Sequence, residues 1–111
     1  MIRRLDVEYR QSARDDLAGI FGFIVESGAS VEVALKFVLR IEDRCQRIGD
    51  APRSGRPRDD LLAGLRTVPF EHSAVIAYVI EQDTIWIKHL LWRQGFRSVV
   101  ARPIDIGDDC G

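Results

Sequence analysis

The chain has 111 residues, of which 46% are hydrophobic and 30% are charged, and its formal net charge is -1. This length favours one domain with a modest core, and the composition is that of an ordinary globular protein. The near-neutral charge argues against a dedicated high-affinity RNA binder, and no apolar run approaches the roughly 20 residues that cross a bilayer. We therefore expect no membrane association.

The N-terminal segment predicts a strand followed by a helix. Residues 3–9 alternate between polar and apolar side chains, which is typical of a half-buried strand. Ser12 is predicted to cap the helix, with Asp15 three residues later in a capping-box position, and Gly28 is predicted to end it. Its buried stripe is predicted to comprise Ala13, Leu17, Ile20, Phe21 and Ile24.

A second amphipathic helix follows directly. Ser30 is predicted to start it, and Gly49 and Pro52 to end it. Two helices joined by a few residues form an antiparallel hairpin. The stripe that should face the core comprises Ala34, Phe37, Val38, Ile41, Cys45 and Ile48.

Three strands are predicted in the C-terminal half, at residues 65–70, 74–80 and 84–92. The second is continuously apolar, as expected of a strand covered on both faces. The third alternates, so we expect Ile85, Ile87, His89 and Leu91 on one side and Trp86, Lys88, Leu90 and Trp92 on the other. The element order predicts a two-layer α+β fold, β-α-α-β-β-β, with the helix hairpin on a mainly antiparallel four-stranded sheet.

The segment between the helices and the strands, residues 51–70, reads APRSGRPRDDLLAGLRTVPF. Glycine and proline fix a loop there, and the guanidinium fork of arginine suits carboxylate or phosphate. The sequence therefore predicts a surface that binds a target or a partner. We assign to it four loop arginines and four residues from the last strand and the segment after it: Arg53, Arg56, Arg58, Arg66, Lys88, Trp92, Arg93 and Arg97.

Each of these residues also has a simpler interpretation. Arg53, Arg56 and Arg58 are most simply interpreted as part of a solvated loop. Arg66 is equally consistent with a salt bridge to Asp15 or to the neighbouring Asp16 that fixes the sheet to the helices. For the two tryptophans, Trp86 and Trp92, core packing is the favoured interpretation, and anchoring of a partner is the alternative.

The domain is expected to span residues 1–102, and residues 103–111 are expected to form an acidic, frayed tail. The two cysteines, Cys45 and Cys110, form no metal motif. No zinc spacing, P-loop, dinucleotide fingerprint or serine-nucleophile motif is present in the sequence, so we expect no cofactor.

Several segments together resemble the RelE/ParE superfamily, the toxins of type II toxin–antitoxin systems. Residues 12–17 with Ile20 and Ile24 resemble the family's A-x-x-D-L-x-x-I-x-x-[YF]-I helix, and residues 34–37 with Ile41 resemble its second helix. Residues 52–56 resemble the P-x-x-G-R loop, 64–69 the G-[LI]-R-x-[FV]-P strand, and 75–78 the central strand ending in tyrosine. The resemblance covers roughly residues 5–92 and favours the ParE branch.

The resemblance implies a cytosolic bacterial toxin that binds DNA gyrase without modifying it chemically. It also implies a ParD-like antitoxin, whose C-terminal segment wraps the toxin in a hetero-oligomer. Operator DNA would be bound only by the antitoxin. Apolar side chains such as Phe23, Val25 and Leu39 would then be exposed in the free chain.

Two alternatives remain open at this point. A RelE-type, ribosome-dependent mRNA endoribonuclease would use Arg66, Arg93 and Arg97 for charge stabilisation and His72 or His89 as acid or base. The second alternative is a non-toxic relative that still binds an antitoxin. It is suggested by residues 91–97, which lack the Arg-Asp pair common in the family. The absence of an obvious acid–base set favours a non-enzymatic toxin.

Overall fold

In the computed structural model, residues 4–71 and 74–92 are described, together with the backbone but not the side chain of Trp92. None of the helices in these ranges is both long and apolar enough to cross a membrane. The elements are β1 (Asp6–Tyr9), α1 (Gln11–Glu26), α2 (Val31–Ile48), β2 (Arg56–Pro57), β3 (Arg66–Phe70), β4 (Ala74–Glu81) and β5 (Thr84–Trp92).

The strands form one sheet in the order β1-β5-β4-β3-β2, in which only the β1–β5 pair is parallel. The predicted α+β fold is confirmed, but the sheet has five strands where the sequence predicted four. The additional strand is β2, in which Arg56 pairs with Thr67 and Pro57 with Arg66. A two-residue strand made of arginine and proline has no hydrophobic periodicity, so the pattern could not reveal it.

The helix hairpin covers one face of the sheet, as predicted. The buried side chains of α2 in this core are Ala34, Phe37, Ile41, Cys45 and Ile48, and those of α1 are Ala13, Ile20 and Ile24. Successive residues of β4 point to opposite faces. Tyr78 lies in the helix-side core, whereas Ala77 and Val79 form a smaller cluster with Leu65 on the other face. The prediction of a central strand that is covered on both faces is confirmed.

The first helix begins differently from the prediction. Arg10 occupies the N-cap position, and no side chain caps the helix. The Ser12 hydroxyl instead donates a hydrogen bond of 2.6 Å to the Lys88 carbonyl oxygen of β5, and Asp15 accepts one from Gln11. The predicted capping box was wrong because a strand carbonyl, distant in sequence, takes the serine hydroxyl.

The two loop signals between the helices are confirmed. Gly28 lies at φ +105°, in the left-handed region, and its N–H donates to the Val25 carbonyl of the last helical turn. The Ser30 side chain caps α2 by accepting a hydrogen bond of 3.1 Å from the Val33 N–H.

A β-bulge interrupts the pairing of β4 with β5. Ala77 pairs with His89 and Tyr78 with Ile87, which leaves Lys88 as the extra residue. The bulge changes the alternation of β5, so Leu90 joins the helix-side core together with Ile85 and Ile87. The predicted strict alternation was therefore wrong from residue 88 onward.

We predict that alkaline pH destabilises the fold through the buried thiol of Cys45. Burial raises the pKa of this thiol from 9.0 to about 12. The stabilising contribution is complete below the unfolded pKa of 9.0 and is lost as pH rises towards 12, because the unfolded thiol ionises first. The free energy of unfolding should fall by up to about 1.4 kcal/mol per pH unit from this group.

Urea unfolding between pH 8.5 and pH 9.5 tests this prediction, because there the tyrosines of the unfolded chain are still largely protonated. Cys45→Ala should be less stable at every pH and should lose most of the slope within this window. An equal slope in both proteins would contradict the assignment of the effect to Cys45.

Candidate binding surface

The loop after α2 is attached to the sheet by one buried hydroxyl. Tyr78, in β4, is fully buried, and its hydroxyl donates a hydrogen bond of 2.7 Å to the Pro52 carbonyl oxygen. The same hydroxyl accepts a hydrogen bond of 3.0 Å from the Gly55 N–H. Burial raises the pKa of Tyr78, so the hydroxyl stays protonated and able to donate. Residues 52–55 are therefore anchored at both ends.

Close approach explains the glycine at position 55. A Cβ atom added to Gly55 would lie 2.5 Å from the Tyr78 hydroxyl oxygen and 2.9 Å from its ring. No ordinary side chain tolerates such distances, so glycine allows the loop to reach the hydroxyl.

Arg66 is bound to the backbone of the same loop. Its Nη1 donates to the Arg53 carbonyl oxygen at 3.1 Å and to the Gly55 carbonyl oxygen at 2.8 Å. The alternative of a salt bridge with Asp15 or Asp16 was wrong: Asp15 bonds within its own helix, and Asp16 contacts β5. The Nε and Nη2 groups of Arg66 make no hydrogen bond to the described residues.

The remaining loop arginines differ in their neutralisation. Arg58 forms a bidentate pair with Asp60, at 3.0 Å from Nε and 2.9 Å from Nη2. Arg53 and Arg56 are exposed and have no carboxylate partner within residues 4–71 and 74–92. Arg53 in the loop, Arg56 in β2 and Arg66 in β3 thus have no carboxylate partner among the described residues, whereas the charge of Arg58 is compensated.

His89 lies in a structural contact between β5 and α1. Its side chain is buried, and Nδ1 lies 3.1 Å from the Asp16 carboxylate, which also accepts a hydrogen bond of 2.9 Å from the Leu90 N–H. The order of the sheet puts His89 two strand spacings, about 10 Å, from Arg66. In the described part of the chain, no group of three or more His, Cys, Asp or Glu side chains is arranged to hold a metal ion.

We predict that Asp16→Ala lowers the free energy of unfolding by about 1–3 kcal/mol, because it removes the carboxylate that bonds the Leu90 N–H and His89. Asp15→Ala is the matched control. Asp15 is exposed and bonds only Gln11 within the first turn, so its loss should cost less than about 0.5 kcal/mol. Chemical denaturation measures both, and equal costs would contradict the structural role of Asp16.

Four of the predicted residues are not characterised by the structure. His72, Arg93 and Arg97 lie outside the described residues, and so does the side chain of Trp92. Their assignment to a binding or catalytic site stays a prediction. Lys88 is described: it is the half-buried extra residue of the bulge, on the strand that follows the Glu81–Thr84 hairpin.

An apolar stripe lies on the outer side of α2. Val31, Leu35 and Leu39 are separated by one helical turn each and are 59%, 48% and 52% exposed. Phe23, on α1, is 39% exposed. The predicted exposure of Phe23 and Leu39 is confirmed, whereas Val25 packs against the core and the prediction for it was wrong. The exposure of Leu35 could also have been predicted from the sequence, because this leucine lies outside the stripe of α2 that was predicted to be buried.

The family model that describes the ParE toxin of the type II toxin–antitoxin system parDE matches residues 7–94. The chain belongs to the ParE toxin family. Within the wider RelE/ParE superfamily, this confirms the branch that the sequence motifs favoured. It is a ParE-type toxin of a type II toxin–antitoxin system, and the match spans both helices, β2 to β5 and all of β1 except its first residue.

Two solved structures are similar to this ParE-family chain. A chromosomal ParDE toxin–antitoxin system from P. aeruginosa matches with a TM-score of 0.70 and 21% identity, over 80% of this chain and 96% of the other. The conserved hypothetical protein HP0894 from Helicobacter pylori matches with a TM-score of 0.51 and 14% identity, over 81% and 96%. At these identities both likenesses concern the fold. No curated protein matches the chain.

Proposed function

We propose that this ParE-family toxin acts in the cytoplasm by binding DNA gyrase, and that a ParD-like antitoxin neutralises it. The family-model match over residues 7–94 carries the proposal. The loop with Arg53, Arg56 and Arg66 is the surface that we assign to target recognition. Arginine is well suited to this role because its planar fork recognises carboxylates and stacks on aromatic side chains.

The geometry around Arg66 supports binding rather than catalysis. The only phenolic hydroxyl at the loop, that of Tyr78 among the described residues, is buried and already occupied by Pro52 and Gly55. His89 is held by Asp16 about 10 Å away. A general acid or base must reach the reacting atom at hydrogen-bonding distance, and neither group is placed to do so beside Arg66.

The helix hairpin supports an antitoxin partner. Val31, Leu35 and Leu39 form an exposed apolar stripe that a partner helix or extended segment could cover. The similar P. aeruginosa structure is that of a ParDE system. We propose that the antitoxin covers this stripe in a toxin–antitoxin hetero-oligomer, and that operator DNA is contacted only through the antitoxin.

Induced expression of the chain alone in a bacterium tests the proposed function. Growth, plasmid supercoiling and transcript integrity should be followed together, with and without co-expression of the protein encoded by the neighbouring reading frame. We expect growth arrest and loss of negative supercoiling with intact transcripts, and relief by the neighbouring protein.

Three other outcomes would contradict the proposal. Arrest with cleaved mRNA would assign the chain to RelE-type endoribonucleases. Arrest with intact mRNA and normal supercoiling would exclude gyrase. Normal growth, with the folded chain detected in the cells, would indicate a non-toxic relative that still binds an antitoxin.

A further inference from the structure

We infer that Arg66 forms a pre-organised carboxylate-binding site for an acidic segment of a protein partner, with Arg44 as a supporting positive charge, and that Tyr78 is its positioning residue. This inference rests on the proposed function, because it names the chemistry of a partner bound at the arginine loop. Arg44, in α2, was not among the residues that the sequence predicted. No motif pointed to it, since it lies within an amphipathic helix among other charged residues.

Among the described residues, only one nitrogen of the Arg66 guanidinium has a hydrogen-bond partner. Nη1 donates to two backbone carbonyls of the loop, which fixes the plane of the group. Nε and Nη2 remain without a hydrogen-bond acceptor in the described part of the chain. Together these two donors form the edge that binds one carboxylate in a bidentate manner. Because the group is already held, little side-chain entropy is lost on binding.

Tyr78 controls this arrangement through the loop. The carbonyl oxygens that hold Arg66 belong to Arg53 and Gly55, and the Tyr78 hydroxyl bonds the Gly55 N–H directly. Arg66 and Tyr78 are also cross-strand partners in β3 and β4. Loss of the hydroxyl would release the loop and, with it, the two carbonyls that orient the guanidinium group.

Arg44 adds a second positive charge within electrostatic reach of Tyr78. Arg66 and Arg44 both lower the pKa of the Tyr78 hydroxyl through their charge, so both lie within electrostatic reach of it. On the same helix, Arg40 pairs with Glu71 and Arg47 with Asp43, whereas Arg44 has no carboxylate partner among the described residues.

Unpaired positive charge is concentrated in this part of the described chain, because most cations elsewhere are paired with a carboxylate. In the described ranges, six cations pair with a carboxylate: Arg4, Arg10, Lys36, Arg40, Arg47 and Arg58. Six do not, and four of those six lie between positions 44 and 66 of the chain: Arg44, Arg53, Arg56 and Arg66. The positive charge on this surface is therefore not compensated by the described residues and is able to attract a carboxylate of a partner.

The surroundings favour a polypeptide carboxylate over a nucleic-acid backbone. Exposed carboxylates lie in the same stretch of sequence, at Asp43, Asp50, Asp59 and Asp60. A nucleic acid presents a phosphate at every step and needs an extended positive track, which these carboxylates interrupt. A single acidic side chain needs only the Arg66 fork and a neighbouring charge.

The test is a titration of the uniformly 15N-labelled full-length chain with a tetraglutamate peptide blocked at both ends. The Nε–Hε resonance of Arg66 is assigned by its loss in Arg66→Lys. We expect a saturable shift of this resonance in the wild type. Arg66→Lys keeps the charge but loses the fork, so peptide affinity followed by backbone resonances should fall about tenfold.

Tyr78→Phe should also weaken binding about tenfold, at a temperature where circular dichroism shows it to be folded. Ile41→Val is the control for stability alone, because Ile41 lies in the helix-side core and is not a residue of the loop. Arg47→Lys is the matched control for charge, since Arg47 is already paired with Asp43. Both controls should bind as the wild type does.

Four results would overturn the inference. They are the absence of a saturable shift at Arg66, an unchanged affinity in Arg66→Lys, an unchanged affinity in Tyr78→Phe, and a loss of affinity in the two control variants as large as that in the test variants. Tighter binding of a single-stranded pentanucleotide, which carries a similar charge, would overturn the choice of a carboxylate. These measurements use the isolated chain and a peptide, so their failure is separable from a failure to arrest growth or to inhibit gyrase.

Discussion

Replacing Tyr78 by phenylalanine is expected to lower the free energy of unfolding by about 2–4 kcal/mol. The ring can stay in place, but both hydrogen bonds of the hydroxyl are lost. Gly55 is buried, so its N–H would be left without a partner, and the Pro52 carbonyl would lose its donor. Urea unfolding followed by circular dichroism measures the difference.

Tyr9→Phe is the matched control for this substitution. The Tyr9 hydroxyl is buried and has no nitrogen or oxygen partner among the described residues, and the Cys45 thiol beside it is a weak one. Its removal should change stability by less than about 0.5 kcal/mol. If Tyr9→Phe and Tyr78→Phe cost the same, the loop anchor does not stabilise the fold as argued.

A double-mutant cycle isolates the contact between the loop and the hydroxyl. Gly55→Ala is expected to cost about 1–3 kcal/mol, because its Cβ would lie 2.5 Å from the Tyr78 hydroxyl oxygen. Removing that oxygen relieves the shortest contact, so the double variant should cost less than the sum of the two single variants. Strict additivity would contradict the direct contact.

The second large effect is expected on antitoxin binding. Leu35→Glu combined with Leu39→Glu should weaken binding of the antitoxin by at least about 100-fold, since two apolar anchors would become buried, unpaired charges. Both side chains are about half exposed in the free chain, so the fold should tolerate the change. Isothermal titration calorimetry with the protein encoded by the neighbouring reading frame measures the affinity.

Val33→Glu is the control on the same helix. Val33 is 52% exposed but points about 200° around the helix from Leu35, away from the stripe. Its replacement should change the affinity less than about threefold and leave the melting temperature similar to that of the stripe variant. Unchanged binding in the double leucine variant would exclude the stripe as the antitoxin surface.

The helices and four of the five strands could be predicted because their signals are local. Ser30 and Gly28 act on backbone groups within three residues, so the sequence alone indicated their roles. Ser12 has the same side chain as Ser30 but bonds the Lys88 carbonyl, 76 residues away. The bulge at Lys88 is likewise a property of strand pairing, which polarity patterns do not record.

The sequence predicted which arginines belong to the candidate site, but it did not predict which groups they contact. The loop motif indicated which arginines gather there, and the sheet placed Arg66 opposite Tyr78. Nothing in the sequence distinguished Arg58, neutralised by Asp60, from Arg56, which has no such partner in the described ranges. Nor could a sequence pattern show that Arg66 would bind loop carbonyls instead of an aspartate, because charge attraction alone favours the aspartate.

The pairing of β1 with β5 has a consequence for biosynthesis. The first strand finds its partner only at Thr84–Ile87, 78 residues later in the chain. Contacts so distant in sequence form late, because a long loop must close before they can form. A nascent or prematurely terminated chain that ends before residue 84 therefore leaves its first strand unpaired and its first helix without its β5 support. The toxin can therefore complete its sheet only after β5 has been synthesised.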